Sequence, residues 1–179
     1  MDRIACSIFS DEPESLDAGR AVAQELVDKF GAGGVKAVLA YATMNHDQQA
    51  VLEGLRAGLG KDTLLLGCSV QGVVSNAELT EDGFALGVMG FGGPDINCAI
   101  AIEREVQEAP RDKGRRLAQA LKRDLKSLPK AVIVYYDPLC GLDVESMLEG
   151  MRLELDCPIV GGAAGQPALG ATQGNLPIF

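Results

Sequence analysis

The sequence contains no tryptophan and a single histidine, and only 4% of its 179 residues are aromatic. Serine-hydrolase chemistry needs an imidazole base, so it would have to run through His46. With no second histidine and few aromatic side chains to line a macrocycle pocket, haem is expected to be absent. The five cysteines, at positions 6, 68, 98, 140 and 157, are odd in number and never spaced C-x-x-C. A disulfide framework and a zinc site are therefore not indicated, and reduced buried thiols are expected.

Long apolar runs are also missing. Residues 38–41 and 131–136 fall far short of the roughly 20 that a bilayer span requires. The first four residues lack the apolar core and small-residue cleavage site of a signal peptide, so a cytoplasmic location without membrane association is expected. Basic runs stop at Lys113-Gly114-Arg115-Arg116, and the net charge of −9 repels phosphate backbones, which excludes nucleic acid as a partner. What remains is ordinary globular composition. Hydrophobic residues at 47% and charged residues at 23% argue against disorder. The length suits one domain or two packed half-domains.

Residues 3–9 read as a strand, and Leu16, Ala18, Val22, Leu26 and Phe30 follow near helical spacing, with Ser10 or Asp11 as the cap. Residues 35–41 form an apolar run typical of a buried parallel strand. Asp47 caps a second helix that closes at Gly60, and residues 63–66 make a third strand running into Gly67-Cys68-Ser69-Val70-Gln71-Gly72. Residues 84–91 and 96–102 flank Gly92-Gly93-Pro94-Asp95, a turn signal, and are expected to pair as antiparallel neighbours.

The pattern then starts again. Lys113-Gly114-Arg115-Arg116-Leu117-Ala118-Gln119 matches Ala18-Gly19-Arg20-Ala21-Val22-Ala23-Gln24, and Lys130-Ala131-Val132 matches Lys36-Ala37-Val38. Leu148-Glu149-Gly150 repeats Leu52-Glu53-Gly54, and residues 158–161 align with 64–67. Four blocks in one order at a nearly constant offset predict an internal duplication. The expected fold is α/β, with two duplicated βαβαβ units forming a mixed, mostly parallel sheet packed with helices. The copies are 1–93 and 94–179, the second incomplete at its C-terminal end. Because only loop-like sequence follows Gly165, the chain is expected to be a fragment of a longer protein.

In open α/β sheets, ligands bind beyond the carboxyl ends of parallel strands. Four loops qualify, at 43–47, 67–72, 137–143 and 161–165. Asn45, Ser69, Asp137 and Cys140 offer polar or soft side chains there, and Gly67, Gly72, Gly161 and Gly162 either let a backbone approach a ligand or simply make strand-end turns. Gly67-Cys68-Ser69 approximates a nucleophile elbow, but its closing glycine falls one residue late at Gly72. A ligand-binding role is therefore read in preference to catalysis. Cys68 or Cys140 with His46 stays open as a thiol-nucleophile alternative. His46 also stays open as an axial haem ligand or as an ordinary loop residue beside a helix cap. Gly87-Val88-Met89-Gly90-Phe91-Gly92-Gly93 precedes a turn and not a helix, so it is no dinucleotide fingerprint.

Along essentially its whole length the sequence resembles the N-terminal FIST domain, a sensory module of bacterial signal transduction. The resemblance rests on Val38-Leu39-Ala40-Tyr41 leading to Asn45-His46-Asp47, on Leu66-Gly67-Cys68-Ser69 with Gly72, on Asp82-Gly83, and on Ile159-Val160-Gly161-Gly162-Ala163-Ala164-Gly165. The glycine-cysteine-serine block is the most specific. The resemblance implies a cytoplasmic input domain that binds an amino acid or similar small metabolite. It also implies a C-terminal FIST domain downstream and communication with a histidine kinase, chemoreceptor or diguanylate cyclase. Some similar proteins are haem-dependent nitric oxide sensors.

Overall fold

A computed structural model describes residues 4–75, 78–81, 83–125 and 127–165, which divide into two compact units. The first unit runs β1 (Ala5–Ser10), α1 (Ser15–Phe30), β2 (Val35–Thr43), α2 (Gln48–Leu59), β3 (Leu64–Val70), β4 (Val73–Val74), β5 (Leu79–Thr80) and β6 (Leu86–Gly92). The second, residues 97–163, contains a short 3-10 turn, α3 (Pro110–Leu125), β7 (Val132–Tyr136), α4 (Val144–Arg152) and β8 (Ile159–Ala163). The α/β class follows, with parallel pairs β2–β3 and β7–β8. Each parallel pair is joined through a helix, as a parallel connection requires.

In the first unit the sheet order is β1-β6-β2-β3, with β6 antiparallel to both of its neighbours. The side chains of Val38, Ala40 and Ala42 on β2 alternate toward α1 and α2, and join Ile8, Val88, Leu26, Val51 and Leu55 in one core. In the second unit Val132 and Val134 on β7 pack with Ala118 of α3 and with Met151 and Leu148 of α4.

Both helix pairs cross on glycine. A Cβ on Gly19 would collide with the Val51 carbonyl, and one on Gly54 with the Leu16 carbonyl. At the α3–α4 crossing, a Cβ on Gly114 would meet the Met147 carbonyl and one on Gly150 the Arg111 carbonyl. The obstacles are backbone atoms, which cannot rotate away, so these positions require glycine for close approach.

Two local expectations are corrected. Residues 96–102 form no strand. Both edges of β6 are already hydrogen-bonded, by β1 on one side and β2 on the other, so no edge is left for them. The described residues of the second unit accordingly run αβαβ, without an opening strand. The cap of α1 is also not Ser10 or Asp11. The helix starts at Ser15 behind Glu14, which makes no side-chain cap bond, while Ser10 Oγ accepts the Glu12 N–H at 3.3 Å. Pro13 disfavours helical backbone at Glu12 and shifts the start downstream. At α2 the expected cap is present, with Asp47 Oδ1 accepting from Gln49 N–H at 3.0 Å and Ala50 N–H at 3.1 Å.

Candidate functional site

Three buried polar side chains of the first unit, Thr43, His46 and Gln48, lie at the carboxyl end of β2. Thr43, 2% exposed, ends the strand. Its backbone N–H donates to Ala85 O at 2.8 Å, its hydroxyl donates to Gly83 O at 3.0 Å, and that hydroxyl oxygen accepts the Ala85 N–H at 3.0 Å. The 83–85 segment is thereby fastened to the strand end. Phe84, held within it, meets the His46 ring edge to face, with centroids 5.1 Å apart and planes at 74°.

His46 is 4% exposed. Its Nδ1 lies 3.1 Å from Ser15 Oγ, and that oxygen also accepts the Asp47 N–H at 3.0 Å. With one lone pair of Ser15 taken by Asp47, the hydroxyl proton is free to point at Nδ1, and in the tautomer that accepts it the remaining imidazole proton sits on Nε2. Burial lowers the His46 pKa, so the ring is neutral near neutral pH. Nε2 itself has no hydrogen-bond partner among the described residues. Gln48, 6% exposed, shares that condition. Its Nε2 donates to Thr43 O at 3.0 Å and His46 O at 3.3 Å, while its Oε1 has no partner among the described residues. Each stranded atom costs about 1–3 kcal/mol. In that tautomer the strand end holds one buried donor and one buried acceptor, each without a partner among the described residues.

The predicted site residues fall in both units. In the first, Asn45 is exposed beside His46, and Cys68 is 2% exposed on β3 opposite Tyr41. Burial raises the Cys68 thiol pKa, which leaves little thiolate. His46 Nδ1 engages Ser15 and not a thiol. Ser69, also 2% exposed, donates its hydroxyl to Gly165 O at 2.9 Å and accepts the Gly165 N–H at 2.6 Å on its carbonyl. Gly67 is buried opposite Ala40, and a Cβ on Gly72 would lie 2.6 Å from Thr80 O, so Gly72 serves the close start of the β4–β5 hairpin.

In the second unit, Asp137 Oδ1 accepts the Leu139 N–H at 2.8 Å and Cys140 Sγ donates to Asp137 O at 3.0 Å. Gly161, with φ of 153°, lets β8 approach the Val134 carbonyl, and Gly162 faces open space. Asp143 caps α4 through Ser146 N–H at 3.0 Å, and its hydrogen bonds from Ser146 lower its pKa.

Ser15, Thr43, Gln48 and Phe84 were not foreseen as site residues. Ser15 and His46 are 31 positions apart with no spacing rule linking them, and Phe84 arrives only because β6 inserts beside β2.

No three metal-ligating side chains cluster among the described residues. For a haem, the one imidazole has Nδ1 tied to Ser15 and a ring that is 4% exposed, so a macrocycle could reach Nε2 only if the strand end opened far more widely than a small ligand needs. No described helix is long and apolar enough to cross a membrane.

Two concavities lie elsewhere. A small one of about 110 Å³ sits at the amino end of β2, lined by Val27, Ala32 and Leu59, and its polar side chain, Thr63, already donates to Val35 O and Leu59 O at 3.2 Å. A broad groove of about 540 Å³ runs along the face of the sheet away from α1, over β1 and β6.

Compared with known proteins, residues 36–174 match the family model for the FIST N domain. No curated protein matches the chain.

Proposed function

We propose, given that this chain belongs to the FIST N domain family of sensory signal-transduction domains, that it binds a small polar metabolite at the carboxyl end of β2. The observation that carries this reading is the pair of buried atoms without a partner among the described residues, His46 Nε2 and Gln48 Oε1. One donor and one acceptor call for a ligand bearing both kinds of group, as an amino acid does with its carboxylate and ammonium. Such a ligand satisfies both atoms and recovers the desolvation they cost. Phe84, 38% exposed against the imidazole, is the side chain that the ligand displaces or stacks upon. The site is expected to work in the cytoplasm. Occupancy is expected to be passed to a C-terminal FIST domain and onward to a kinase, chemoreceptor or diguanylate cyclase.

The two units are further proposed to be copies of one ancestral unit. Supporting this, the order helix, strand, helix, strand recurs, an aspartate caps the second helix of each unit, and the sequence-matched glycine pairs Gly19/Gly54 and Gly114/Gly150 occupy the same crossing.

A thermal-shift screen of amino acids and small acids tests ligand binding. A ligand at 100 times its Kd stabilises by about 2.7 kcal/mol, and His46→Ala should abolish that gain while the variant remains folded. Conversion of the added compound into a stoichiometric product would instead point to a hydrolase.

A further inference from the structure

The outer edge of β1 is one of the two end-strand edges of the first unit's four-stranded sheet, β3 being the other. β1 ends the sheet, pairing only with β6 among the described residues. The bond from Gly92 N–H to Ile4 O, 3.0 Å, makes Ile4 and Gly92 a hydrogen-bonded pair. Antiparallel alternation then turns the N–H and C=O of Cys6, Ile8 and Ser10 inward to β6, and those of Ala5, Ser7 and Phe9 outward. Edge strands are normally defended by charge, proline or a bulge. Ala5-Cys6-Ser7-Ile8-Phe9-Ser10 has no charged residue and no proline, and its register with β6 is unbroken.

A second observation coincides with this edge. The broad groove is lined by Ala5, Cys6, Ser7, Met89, Val74 and Ser75, so a trough of mixed polar and apolar lining lies beside the free backbone groups. Val74 at 76% exposed and Met89 at 40% border it. An edge with free hydrogen-bonding groups beside such a trough is what strand addition uses.

We infer that β1 pairs antiparallel with β1 of a second copy of this chain, about a twofold axis through Ser7. The strand is self-complementary in that register. Ser7 faces its own equivalent, Ala5 lies opposite Phe9 of the second copy, and Cys6 lies opposite Ile8, so each large side chain meets a smaller one. The outward groups of Ala5, Ser7 and Phe9 then form six inter-chain hydrogen bonds, and no charge is brought into the ladder. A twofold, isologous contact closes on itself and consumes the edge, leaving no growing end.

Sedimentation of the full chain over a concentration series tests this. A reversible dimer is expected. Ser7→Pro removes an N–H that β6 does not use, and Ser7→Lys sets two like charges opposite each other. Each should weaken the dimer about tenfold or more while the circular dichroism spectrum is retained. Oxidised Ser7→Cys should give a covalent dimer, because hydrogen-bonded pairs hold their Cα atoms about 5.5 Å apart, within disulfide range. Wild type, carrying only its native cysteines, should not cross-link. A chain monomeric at every concentration, or a dimer indifferent to Ser7→Lys, overturns the inference. Binding of a foreign extended peptide to a monomeric chain would overturn it equally.

Discussion

Replacing Thr43 by valine keeps the β-branched shape and removes the hydroxyl alone, which isolates the clasp that holds the 83–85 segment. The hydroxyl makes two bonds, both 3.0 Å, to Gly83 O and from Ala85 N–H. Gly83 is exposed, so its carbonyl turns to water at small cost, whereas Ala85 is fully buried and its N–H is stranded. A stranded buried donor costs about 1–3 kcal/mol, and since no cavity is created, about 2 kcal/mol is expected for Thr43→Val. For a chain of this size that is roughly 4–8 °C in Tm. Thr43→Ser keeps the hydroxyl and should cost less. The assay is urea unfolding followed by circular dichroism, with the transition of the first unit compared among the three proteins. Because Phe84 rides on this segment, Thr43→Val should also make the His46 ring more accessible to solvent. A loss below about 0.5 kcal/mol, or a serine variant worse than the valine one, would refute the clasp.

Gly54→Ala and Gly150→Ala should each destabilise by about 1–3 kcal/mol despite the better helix propensity of alanine, because the new methyl meets backbone; chemical denaturation of each variant checks this. Burial lowers the His46 pKa, so the folded state binds fewer protons there than the unfolded chain does. Its contribution to stability is full above the unfolded value near 6.5 and is lost as pH falls toward the folded value; wild type minus His46→Gln across pH 4–8 should show that slope. Glu154, held by hydrogen bonds from Lys122, Arg115 and Gln119, should titrate at about 2 by carbon-detected NMR, and Lys122→Met should raise that midpoint.

Much of the fold was legible in the sequence because its periodicities are local. The apolar run from Val35, the Asp47 cap and the closing Gly60 each depend on residues a few positions apart, and each lies where expected. The error at residues 96–102 came from a non-local fact. Gly92-Gly93-Pro94-Asp95 signals a turn but cannot say that both edges of the preceding strand are already taken. The site divides in the same way. His46 stood out as the sole histidine beside a helix cap, but its burial is set by Ser15 and Phe84, which topology brings in from 31 and 38 positions away. The glycine-cysteine-serine block stands out in the sequence for its place at a strand end and its approach to a nucleophile elbow, yet Ser69 is engaged with Gly165 and Cys68 is buried on β3.

Because His46 is the only histidine, its ring nitrogens give one unambiguous pair of signals in a long-range nitrogen–proton NMR spectrum. Titrating the full chain with the amino acids, one at a time, reads the state of Nε2 directly. If a small polar metabolite binds at the carboxyl end of β2, at least one of them shifts the Nε2 signal saturably, and the Gln48 side-chain amide signals move at the same midpoint. An Nε2 signal that stays fixed through a titration in which the same compound raises Tm would place the ligand elsewhere and contradict the assignment of His46.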